Sequence, residues 1–163
     1  MATHVVFTHG RGSDLNVRDR ATTNNSRIVG SRRYGSLVFV NNVINEHTGS
    51  HSGNTWGNIG LNQFASITHG NGAELNMLRV RDIPGNRRMV VTENDVRMRQ
   101  APLNNASTPI IQGMFLNAGQ VVTATHTVTV PHIEAFHSFT REWTRIAHGA
   151  DGVWVASQFL RNA

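Results

Sequence analysis

Four arginines stand in two pairs, Arg79/Arg81 and Arg97/Arg99, in a chain that has no lysine. A guanidinium is a fixed, fork-shaped cation that meets phosphate or carboxylate oxygens two at a time. Each pair has period two inside a segment that reads as a β-strand, so its members share one face. The alternate positions Leu78/Val80 and Val96/Met98 are apolar. Two neighbouring strands of this kind give a sheet with one apolar face and one cationic face, and the cationic face points to a polyanion. Glu93 and Asp95 are the carboxylates that could instead neutralise the arginines in place.

Other residue patterns lack the partners their chemistry needs. Val5–Gly12 runs strand-then-His9-Gly10, as an oxyanion-hole segment would, but no G-x-S-x-G nucleophile elbow follows. Gly49-Ser50-His51-Ser52-Gly53 has His at the nucleophile position. Glu134-x-x-His137 is half of a di-iron pattern with no second half, and His47/His51 lie in a Gly/Ser-rich stretch. With no cysteine there is no thiolate nucleophile, Cys-based metal site or disulfide framework. No enzyme, cofactor or metal site is expected.

The charge balance is 15 basic residues to 10 acidic, net +5. The pI of 11.4 is high because the bases are all Arg and little else titrates in the alkaline range. At 163 residues the chain reads as one domain. No apolar run predicts a membrane span, and MATHVVFTHGRG lacks the layout of a signal peptide, so a soluble, cytosolically made protein is expected.

The elements that must position the arginines read as mostly β. Strands are expected over 3–8, 36–44 and 59–68, with 10–27 unassigned and 45–58 an exposed loop too polar to pack. Hairpins are expected from 73–81 with 87–100, around the turn 82–86, and from 109–116 with 120–130, around Asn117-Ala118-Gly119. In the last of these strands Thr123, Thr125, Thr127 and Thr129 fall on one face. After Pro131 the period becomes helical. Ile133, Phe136, Phe139, Trp143, Ile146 and Ala147 fall within about 140° of arc, and a second short helix is expected over 152–161. No internal repeat or domain boundary is visible.

The C-terminal stretch TATHTVTVPHIEAFHSFTREWTRIAHGADGVWVASQFLRNA resembles the end of coat proteins of single-stranded-RNA bacteriophages of the levivirus type. The likeness lies in a β-branched run ending in Pro, Val128-Thr129-Val130-Pro131, then an amphipathic segment, a Gly149-Ala150-Asp151-Gly152 break and a short apolar tail. It covers about residues 73–163. It implies an α+β fold: an antiparallel β-meander with two C-terminal helices that lie across a partner's sheet, as an intertwined homodimer. It also implies RNA contacts at Arg79, Arg81, Arg97, Arg99, Thr123 and Thr125.

The expectation is a single coat-protein domain over 1–163, with N-terminal strands and loop over 1–72, a sheet core over 73–131 and helices over 132–163. It is a structural virion protein, made in the host cytoplasm, that dimerises, assembles into an icosahedral shell and packages single-stranded RNA. No membrane and no small-molecule substrate is expected as a partner. Phe139, Trp143, Trp154 and Phe159 are expected at the dimer interface, because two apolar helices expose more than one small sheet can cover. The alternative is a β-sandwich that binds carbohydrate, or another non-enzymatic binding module, using 45–58 as its contact surface.

Overall fold

The computed structural model describes residues 1–46, 53–104, 108–132, 140–148 and 152–163. His47 and His51, together with Glu134, His137 and the expected interface residue Phe139, lie outside the described residues. The chain divides into two compact units, Met1–Arg79 and Val80–Ala163.

In the first unit β1 (His4–Val6) lies between β4 (Leu37–Val38) and β9 (Met77–Arg79). A second antiparallel sheet holds β2 (Leu15–Arg18), β3 (Ile28–Arg32), β5 (Asn42–Asn45), β6 (Thr55–Gly60) and β7 (Gln63–His69) in the order β3-β2-β7-β6-β5, with β8 (Glu74–Leu75) beside β7. In the second unit β10 (Arg81–Val91), β11 (Val96–Arg99), β12 (Ile110–Leu116), β13 (Val121–Thr129), β14 (Glu142–Ile146), β15 (Val153–Ala156) and β16 (Leu160–Asn162) form one sheet. Its order is β12-β11-β15-β14-β13-β10-β16.

The two units repeat one topology. Five core strands, β2, β3, β5, β6, β7 in one and β11 to β15 in the other, cross their sheets in the same order: second, first, fifth, fourth, third. A strand before the five and a strand after them pair in both units. Val5 stands opposite Leu37 and Leu78, as Val90 stands opposite Val121 and Arg161. The backbone bonds match one for one. Val6 N–H donates to Ser36 O, Gly35 N–H to Val6 O and Phe7 N–H to Asn76 O; Val91 donates to Gln120, Gly119 to Val91 and Thr92 to Phe159, all at 2.9 Å. Gly35 and Gly119 both hold a left-handed backbone, φ +84 and +89, where a side chain would be strained. The cores correspond too, with Val6, Leu15, Ala65 and Met77 in one and Val91, Val96, Val155 and Leu160 in the other.

These findings correct the expected α+β fold. The described residues contain no α-helix, only three-residue 3-10 turns at Thr8–Gly10 and Ser157–Phe159. The expected helix over 132–148 contains strand β14, and that over 152–161 contains β15, the turn at 157–159 and the start of β16. The physical reason is burial on both faces. β15 is buried at all four positions between β14 and β11, and such a strand reads as a continuous apolar run with no period of two. Its Val-Trp-Val sequence also loses side-chain freedom in a helix.

The expected hairpin around 82–86 is absent as well. Those residues lie within β10 as an irregularity: Asp82 pairs with His126 and Arg87 already with Ala124. Gly85 and Asn86 there have positive φ. Strands β12 and β13 lie where expected, but β12 pairs with β11 and β13 with β10 and β14. The expected strand over 59–68 is instead parts of the hairpin β6–β7. Nor is 45–58 wholly exposed: Glu46, Asn54 and Trp56 are buried.

Candidate functional site

The six expected RNA-facing residues fall in both units, and those of the second differ in exposure. Arg79 ends β9 in the first unit; the other five belong to the second. Arg81 is exposed and reaches Glu142 at 3.7 Å and Thr129 Oγ1 at 3.4 Å. Arg97 is exposed, whereas Arg99 is 7% exposed and donates from Nη1 to Thr108 O at 3.1 Å. Burial, and after it the charge of Arg97, lowers the Arg99 pKa from its ordinary value. Arg99 therefore ties down the segment after β11. Arg18 does the same after β2, donating to Ser26 Oγ at 3.1 Å. Thr123 and Thr125 are half-buried, and Thr125 Oγ1 donates to Arg145 O at 3.2 Å and accepts from Arg145 Nη1 at 3.2 Å. Of the expected interface residues, Trp143 and Trp154 are buried inside the second unit and Phe159 packs against its core.

What the structure does assemble is a pair of clefts, one per unit, at the same place in the repeated topology. The first encloses about 250 Å³ and is lined by Asp14, Leu15, Asn16, Arg18, Trp56, Ser66 and Asn76, among others. The second encloses about 290 Å³ and is lined by Asp95, Val96, Arg97, Arg99, Trp143, Ala156 and Phe159, among others. The strand pairings make these positions equivalent. Arg18 faces Phe64 as Arg99 faces Trp154, and Trp56 faces Ser66 as Trp143 faces Ala156. Asn76 and Phe159 supply the matching carbonyls noted above.

Each cleft has a tryptophan that is 2% exposed. Trp56 Nε1 donates to Glu46 Oε2 at 3.0 Å, and Trp143 Nε1 to Thr140 O at 3.2 Å. With its N–H satisfied in the protein, each indole serves as a rigid wall rather than a hydrogen-bonding tip. Glu46 also accepts from Thr22 Oγ1 at 2.8 Å and Asn54 Nδ2 at 3.3 Å, which locks the Trp56 wall. The rims differ in chemistry. The first is polar at Ser13 and Asn16, and Arg11 there pairs with Glu74 at 3.3 Å. The second carries exposed Glu93, Asp95 and Arg97, with Ala156 and Phe159 where the first has Ser66 and Asn76.

A separate polar cluster lies on β10, β13 and β14. His126 Nε2 meets Asp82 Oδ1 at 2.8 Å, and its Nδ1 meets Thr125 Oγ1 at 2.9 Å. Burial lowers the His126 pKa; Asp82 opposes that and Arg145 adds to it. Among the described residues no three His, Asp or Glu side chains gather as metal ligands, and no described helix is long and apolar enough to cross a membrane.

Sequence reasoning missed both clefts. Trp56 fell in a segment read as an exposed loop, and Trp143 was assigned to a helix. The available signal was the pair Leu15-Asn16-Val17-Arg18 and Val96-Arg97-Met98-Arg99, each followed at a distance by a tryptophan flanked by strand formers. Comparisons with protein-family models, with curated proteins and with solved structures find no match to this chain.

Proposed function

We propose that the chain is a non-enzymatic binding protein with one ligand cleft in each of two repeated units. The observation that carries this is the equivalence of the clefts: the same strands, the same tryptophan position and the same arginine clamp frame both. A recess that recurs at one place in two diverged copies of a topology is better explained by ligand binding than by loose packing. Each cleft is small against the roughly 300–1,000 Å³ of ordinary small-molecule sites. It fits one or two units of a polymer, and two clefts on one chain gain by avidity when the units repeat.

The coat-protein reading leans on two C-terminal helices, and the described residues there form strands β14, β15 and β16 with a 3-10 turn at Ser157–Phe159. Sedimentation with absorbance at 260 and 280 nm separates the two readings. A binding protein runs as a small species with a protein spectrum, and a coat protein as a megadalton particle rich in 260 nm absorbance.

The cleft reading is tested by blocking the lips. Asn16→Trp and Arg97→Trp alter exposed, equivalent positions and leave the cores alone. On immobilised polysaccharides and peptides, retention of the intact protein should drop steeply with either variant and vanish with both. Retention of the double variant at the wild-type level would refute the cleft reading.

A further inference from the structure

We propose that the hairpin β2–β3 of the first unit binds the backbone of a single-stranded nucleic acid, independently of the clefts' own ligand. The observation is the placement of charge. Arg20, Arg27, Arg32 and Arg33 stand on this hairpin beside the cleft's Arg18, against Asp19 and the flanking Asp14, so residues 14–33 hold +3 of the chain's net +5.

These cations stand at the two ends of the hairpin. β3 is the edge strand of its sheet, and the stretch from 28 to 33 spans roughly 17 Å at strand rise. Arg20 and Arg27 stand in the connection, and Arg32 and Arg33 at the far end. Arg20, Arg27 and Arg33 are exposed, and Arg27 is 86% exposed even though it pairs with Asp19 at 3.4 Å. That pairing joins the two ends of the connection. Asp19 Oδ1 accepts the Arg27 backbone N–H at 2.8 Å, a bond that holds the Asp19 carboxyl below the usual range. The acid is spent on the turn.

The remaining surface suits a sugar–phosphate chain. Ser31 is exposed between the two ends, offering a short donor between the guanidinium groups. Ile28 and Val29 are 56% and 49% exposed and give apolar contact to sugars and base faces. No aromatic side chain lies within 15–33 to stack on bases. Recognition is therefore through the backbone: insensitive to sequence, nearly equal for RNA and DNA, and strongly salt-dependent.

The test uses the full chain and two fluorescent probes, a twelve-nucleotide oligouridine and a twelve-nucleotide oligothymidine, with anisotropy read at several salt concentrations. Both probes should bind at low salt with similar affinity. In Arg20→Gln/Arg33→Gln the slope of log K against log salt should flatten by about 1.4, from ~0.7 per single-strand phosphate contact. Arg20→Lys/Arg33→Lys should restore it, which a merely structural role would not do. Arg81→Gln/Arg88→Gln, at exposed positions outside both clefts, should leave it unchanged. No wild-type binding at low salt, or a slope that falls with Arg81→Gln/Arg88→Gln and not with the hairpin variant, overturns the proposal. Neither result touches the clefts, whose test is blockage of polymer retention.

Discussion

The two members of one arginine pair are different objects. Arg97 is a solvated side chain at a cleft rim, and Arg99 is a buried clamp whose guanidinium satisfies the Thr108 carbonyl. Replacing Arg99 by Met should cost about 1–3 kcal/mol, the penalty for leaving a buried acceptor unsatisfied. Arg97→Gln should stay within about 0.5 kcal/mol. Equal effects in chemical denaturation would mean that the clamp is not formed. Period-two reasoning put both on one exposed face because it knows direction along a strand but not what the next loop covers.

Histidine titration gives a second check at this scale. Burial lowers the pKa of His4, with the charge of Arg79 acting the same way, and burial likewise lowers that of His126. A lowered folded pKa means that the unfolded chain binds protons first as pH falls below about 6.5. The stability these neutral histidines carry is then complete above that pH and is lost as pH drops toward their folded values. The melting temperature should fall between pH 7.5 and 5, and His126→Gln should weaken the fall. A flat or rising melting temperature over that range would contradict the assignment.

At the scale of elements, what the sequence made legible were the half-buried strands. On β13 the Val/Thr alternation places Ala124 and Val128 in the core with Thr123 and Thr125 half-buried, as period two requires. What it hid were the strands buried on both faces. Trp143, Thr144 and Ile146 on β14 and all of β15 are buried, and an apolar run of that length fits a helix as well as a strand. Thr144 makes the difference measurable. It is 2% exposed, with its hydroxyl 2.8 Å from Ser157 Oγ. Thr144→Lys would bury an ammonium with no partner acid, so the second unit should lose cooperative unfolding. Soluble protein with an unchanged transition would contradict a doubly buried β14.

At the scale of the molecule, the repeat escaped the sequence because the copies share burial and pairing rather than residues. Leu15 and Val96 share a core position, as do Met77 and Leu160, while the connecting segments differ in length. The clefts inherit that relation: common walls and divergent rims, so the two sites need not prefer the same unit of a polymer. The chain holds three tryptophans, and only Trp56 and Trp143 line the clefts. Nitrogen-15 labelling of the indoles therefore reports on the central claim with an internal control. Titrating the intact protein with a short fragment of a polymer it retains should move the Trp56 and Trp143 indole signals and leave that of Trp154 in place. Saturable binding that moves Trp154 alone, or none of the three, would contradict a ligand site in each unit.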